Sequence, residues 1–110
     1  MAENIRNDLN KILVLSRRLL DAIHRTIENA ERVCVQHDAA CIEEIRLHDE
    51  NAHLVGVLDR VIEDVSANID ENNDLNVQVR ERCLLLQRRV QRDFGRADAI
   101  INDVKRRLGI

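Results

Sequence analysis

Residues 79–108 read VRERCLLLQRRVQRDFGRADAIINDVKRRL, and the spacing of their apolar side chains decides the fold. Val79, Cys83, Leu86, Val90, Phe94, Ala97, Ile101, Val104 and Leu108 follow one another in steps of three or four. That spacing sets them in one stripe along a helix. Continued back to Leu75, the helix would run roughly 50 Å at about 1.5 Å per residue. A helix this long with an apolar stripe requires partner helices of similar length to cover it. Leu84 and Leu85 widen the stripe near its start. Between Arg80 and Leu108 nine Arg or Lys stand against four acids, so the helix is basic.

The rest of the chain supplies two partners. Ile5, Leu9, Ile12, Leu19, Ile23, Ile27, Ala30 and Cys34 make the main stripe of a first helix over about 3–36, broadened by Leu13, Leu15, Leu20 and Val33. A second helix is predicted over about 39–69, capped by Asp38, with Ile42, Ile45, Ala52, Val55, Leu58, Ile62, Val65 and Ile69 facing inward. His48-Asp49-Glu50-Asn51 interrupts that stripe where a core position is due, which predicts weaker packing there. Asp70-Glu71-Asn72-Asn73-Asp74 collects turn and cap formers, so the chain reverses again and the third helix covers about 72–108. Three helices of matched length joined by short turns give an all-α, antiparallel up-down-up bundle with coiled-coil-like packing, a single domain over residues 1–110. Three helices do not easily cover stripes this broad, so surface near Leu13, Val14, Leu84 and Leu85 is expected to stay open for docking. Gly56 and Gly95 fall inside helices, where each costs about 1 kcal/mol relative to alanine. Close approach of a neighbouring helix, or of a client helix at Gly95, would explain them.

Composition narrows the function. Proline is absent, glycine occurs three times, and 45% of the 110 residues are apolar and 34% charged, the profile of a helical or coiled-coil protein. Phe94 is the only Phe, Tyr or Trp. The aromatic platforms of nucleotide, sugar and single-stranded nucleic-acid sites are therefore missing. The charge is uneven along the chain: residues 1–37 carry six basic and five acidic side chains, 38–74 two and eleven, and 75–110 nine and four. The acidic middle and basic last third are expected to pack as neighbours, and no nucleic-acid partner is expected. Three cysteines without a preceding signal segment, and no long apolar run, point to a cytoplasmic protein with reduced thiols and no stable membrane insertion.

Candidate chemistry is sparse. Cys34, His37 and Cys41 have i, i+3, i+7 spacing and His48 would be a fourth zinc ligand, but the set straddles the predicted turn and includes no paired ligand motif. No metal or cofactor is expected. Ala52-His53-Leu54-Val55-Gly56 resembles the histidine phosphotransfer motif, with the glycine one residue early and the phosphate-stabilising lysine missing. No Ser/His/Asp order, Gly-rich phosphate loop or isolated carboxylate pair appears, so the chain is not read as an enzyme.

Three segments carry a family resemblance. They are the Leu-rich first helix from Leu9 to Val33 with its small-residue break Gln36-His37-Asp38-Ala39-Ala40, then Cys41-Ile42-Glu43-Glu44-Ile45 leading to Leu54, Leu58 and Ile62. The third is Asn73-Asp74-Leu75-Asn76-Val77-Gln78-Val79 running into Cys83-Leu84-Leu85-Leu86-Gln87-Arg88-Arg89-Val90-Gln91. Together they resemble the FlgN type of flagellar export chaperone, a bacterial cytosolic family, with the helical FliT type as its near neighbour. The resemblance implies a helix-in-groove binder whose last helix holds amphipathic terminal segments of hook-filament junction (hook-associated) proteins before type III secretion. On this reading Val79, Leu84, Leu85, Val90, Phe94 and Ile101 contribute apolar contacts and Arg88, Arg89 and Arg92 form a rim that grips acidic edges. The competing reading is a structural three-helix module of spectrin-like kind, a spacer or homo-oligomer.

Overall fold

The computed structural model describes residues 2–32 and 38–110, apart from the side chains at positions 2, 3, 38 and 40. These residues form three helices and no strand: α1 (Ala2–Arg32), α2 (Asp38–Ala67) and α3 (Asp74–Leu108). The Cys83 thiol donates to the Leu9 carbonyl and His24 meets Asp93, so α1 and α3 run in the same direction. Asn29 bonds Glu44 and Gln87 bonds Asp59, so α2 runs against both. Each helix packs on the other two, and the up-down-up bundle is a rod of 54 × 19 × 18 Å.

The helix ends follow from local chemistry. The expected end of the first helix, with Cys34 and His37, lies outside the described residues. Asp38, read as a cap, is the first residue of α2. α2 stops at Ala67, two residues before the expected position: the Asn68 backbone N–H turns to the Val65 carbonyl, its side-chain amide takes the Asp64 carbonyl, and Ile69 leaves the helix to plug the core. Asn73 then accepts from the Asn76 amide and caps α3, which accounts for a start at Asp74 rather than 72. At the far end Gly109 takes the left-handed conformation, φ 72°, that closes a helix, and Lys105, Arg106 and Arg107 occupy the negative end of its dipole.

The core is aliphatic through most of the rod. Leu9, Ile12, Leu19, Leu20, Ile23 and Ile27 of α1 meet Leu58 and Ile62 of α2 and Cys83, Val90 and Ala97 of α3. Each large side chain buried there stabilises the fold by about 1.5–3 kcal/mol before entropy is counted. Ser16, fully buried in the α1 stripe, is satisfied by bonding the Ile12 carbonyl at 2.7 Å. Burial pushes the Cys83 thiol up to about 11, so it stays protonated.

The first half of α2 departs from the expected inner face. Ile42 is exposed, Ala52 is exposed and Ile45 is only half-buried, whereas Cys41, Glu44, His48 and Asn51 point inward. A straight helix keeps one face: the stripe fixed by Leu58 and Ile62, carried back in steps of three and four, lands on those four residues. The polar interruption is therefore a buried layer. His48 stacks on Phe94 with ring centroids 4.6 Å apart and bonds Asp98 at 2.9 Å, and the Asn51 amide reaches Thr26. The glycines also depart from expectation, since a Cβ at Gly56 or Gly95 would meet nothing within 4 Å. Among the described residues no helix is long and apolar enough to cross a membrane.

Candidate docking surfaces

The nine α3 residues assigned to partner binding divide between core and surface. Val90 and Ile101 are fully buried against α1 and α2 and offer a partner nothing while the bundle is closed. They are part of the internal stripe, because the helix face set by Cys83, Ala97 and Val104 already contains them. Val79, Leu84 and Phe94 are half-buried against the same core. Leu85 is 63% exposed, and Arg88, Arg89 and Arg92 surround it on the outside of α3. Arg89 and Arg92 both lean toward Asp93, whose carboxyl is held below its ordinary range chiefly by the hydrogen bond from His24. Of the surface expected to remain open, Val14 and Leu85 are exposed, Leu84 is half-buried and Leu13 is buried.

A larger apolar opening lies between α1 and α2. It is a trough of about 280 Å³ with Ile12, Leu19 and Leu58 as floor and Leu15, Leu54 and Val61 as walls. Leu15 and Leu54 are 53% and 48% exposed, high values for leucines that face each other. Leu15, read as broadening the inward stripe of the first helix, is instead an exposed wall, and Leu54 and Val61 lie outside the α2 residues expected to face inward. Leu54, Val57 and Val61 form a second stripe of i, i+3, i+7 spacing beside the core one, and two such stripes on one helix are the available signal. On the α1 side Lys11, Arg18 and Arg25 recur every seven residues, and Arg18 lines the trough. Among the described residues Lys11 and Arg18 make no ion pair.

Past Ala22 the lining changes character. The cleft continues between the same two helices as a cavity of about 220 Å³ lined by Arg25, Thr26, Asn29, Glu44, Leu47 and Asn51, with Ala22 common to both parts. Glu44 is 8% exposed. Its Oε1 accepts from the Asn29 amide at 3.1 Å, and its Oε2 is buried with no partner among the described residues. Burial raises its carboxyl above the ordinary range, against the lowering effect of the Asn29 bond.

Among the described residues the other sequence candidates do not come together in a site. Cys41 is fully buried and His48 is taken by Asp98 and Phe94, while Cys34 and His37 lie outside the described residues. Among the described residues no three His, Cys, Asp or Glu side chains cluster as metal ligands. His53 stands exposed beside Asp49, Glu50 and Arg46, and the Arg46 guanidinium is gripped by Glu43 and Glu50. No protein-family model, curated protein or solved structure matches the chain.

Proposed function

We propose that this protein holds amphipathic helices: an export chaperone of the FlgN kind, with terminal segments of hook-filament junction proteins as clients and the α1–α2 trough as their seat. The observation that carries this reading is that the bundle closes an aliphatic core of its own and still presents an open apolar trough. From Ile12 to Ala22 the trough runs about 15 Å along α1, enough for three successive contact positions of a docked helix. The unpaired cations Lys11 and Arg18 beside it suit a client with acids along one edge. The C-terminal helix then serves as the brace that completes the core, and its outer face around Leu85 is a secondary contact.

Calorimetric titration of the full chain with C-terminal segments of hook-filament junction proteins tests this, with a flagellin terminus as specificity control. Saturable binding of about micromolar strength, abolished by Leu15→Glu and kept by Leu85→Ser, is the expected result. Loss in Leu85→Ser with retention in Leu15→Glu would move the seat to α3. Absence of binding to every segment by the folded chain would overturn the chaperone reading in favour of a structural module.

A further inference from the structure

The cleft between α1 and α2 is apolar for most of its length and ends on one buried carboxylate. We infer that the helix seated there carries a single lysine or arginine about two turns beyond its last apolar anchor, and that Glu44 receives this side chain. The inference deepens the proposed use of the trough and rests on it.

The lining leaves one open valence. Asn51 donates to Thr26 and Asn29 donates to Glu44, so the neutral polar groups are engaged with one another. Glu44 Oε2, nine-tenths buried, has no partner among the described residues. A carboxylate only accepts, and its strongest partner is a cationic N–H. Among the described residues no cation bonds Glu44 Oε2. Arg25 lines the same cavity but its Nε donates to the Asp21 carbonyl, and Arg46 is held on the outer side of α2 by Glu43 and Glu50. Glu43, the neighbouring acid, adds to the unfavourable field at Glu44. A cation from a partner would offset both the missing hydrogen bond and the buried charge.

Spacing fixes where that cation sits. Leu54, the last wall of the trough, lies ten residues from Glu44 on α2, about 15 Å at 1.5 Å per residue. A lysine stem covers about 5–6 Å of this when it lies along the cleft. The docked helix therefore places the basic residue about seven positions beyond the leucine that packs on Leu54, on the same face. The Lys11, Arg18 and Arg25 stripe along α1 opposes a generally cationic peptide, so the partner is acidic on that edge and basic at one inward position.

Fluorescence anisotropy of labelled helical peptides with the full chain tests the inference. The probe carries leucines three and then four residues apart, glutamates along one edge and a lysine seven residues after the last leucine; a sequence-reversed copy covers the opposite direction. Its control replaces the lysine by norleucine. The lysine peptide is expected to bind about tenfold or more tightly than the control. Glu44→Gln should shrink that ratio to near one without unfolding the bundle, and Leu15→Glu should abolish binding of both. Equal binding of the two peptides to the unaltered chain would overturn the basic anchor while leaving the trough as a helix site. Failure of every peptide to bind would remove the trough as a helix site and the anchor with it. A chain that dimerises alone and becomes monomeric with Leu15→Glu would assign the cleft to a second copy and overturn the inference.

Discussion

At positions 44, 48 and 51 the inner face of α2 carries a carboxylate, an imidazole and an amide where a bundle core ordinarily holds aliphatic side chains. His48 Nε2 and the Asn51 amide find partners across the bundle, while His48 Nδ1 and Glu44 Oε2 are buried with none among the described residues, and burial raises the Glu44 carboxyl above the ordinary range. The folded state thus binds the Glu44 proton more tightly than the unfolded state. That contribution to stability is complete below the unfolded value, near pH 4, and is lost as pH rises through the raised folded value. Glu44→Gln imitates the protonated form. It should raise the unfolding midpoint at pH 7, and the gain over the parent should vanish below about pH 4; thermal melts followed by circular dichroism at the two pH values measure this. An unchanged or lower midpoint at pH 7 would show that the carboxylate is better solvated than its burial implies. None of this was legible from residue type, because an acid in an acidic helix reads as solvated until the helix phase is fixed by its neighbours.

For the elements, α3 offers the sharpest contrast. Its periodic residues are mostly core as read, but the same periodicity assigned Val90 and Ile101 to a partner, and a stripe cannot state whether it faces a helix of its own chain or another. Val90→Ala should cost about 1–2 kcal/mol for the lost methyl groups and the cavity, while Leu85→Ser should stay within about 0.5 kcal/mol. Urea denaturation of the two variants distinguishes core from surface. The interior glycines belong to this scale too. Since an added Cβ meets nothing at Gly56 or Gly95, alanine at either should stabilise the bundle by about 0.5–1 kcal/mol. If Gly95→Ala were instead to abolish peptide binding while raising the melting temperature, the glycine would be a docking position. The α3 start shifted by two residues because Asn73, one of five turn-favouring residues in a row, proved to be the cap. Composition places such a turn but does not choose which member of the run bonds the free amides.

Across the whole molecule, α3 shares its most extensive interface with α1, and α2 holds the weaker position. The acidic middle and the basic last third pack as neighbours, as expected, but few ion pairs among the described residues join them. Among the described residues, α3 arginines pair with acids of α3 itself, with Glu31 of α1 and with Glu71 in the turn, while the ionisable pair joining α2 to α3 is His48 with Asp98. Hydrophobic burial, worth far more per residue than an exposed ion pair, decides which faces meet. It follows that a chain ended after Asp74 should not keep two folded helices. Removing Cys83, Val90, Ala97, Ile101 and Val104 strips both remaining helices of a core face. Circular dichroism should show loss of most helicity and of a cooperative melt, so client binding has to be mapped by point substitution. From the sequence by itself come the helix count, the reversal near residue 71, the direction of each helix and most of the α1 and α3 core. All of these rest on local periodicity and turn chemistry. The tertiary structure decided which of two stripes on α2 faces inward, that polar side chains fill one layer, and that the open apolar surface lies between α1 and α2. Those outcomes depend on how three broad stripes share one core, and that competition is not written in any single helix.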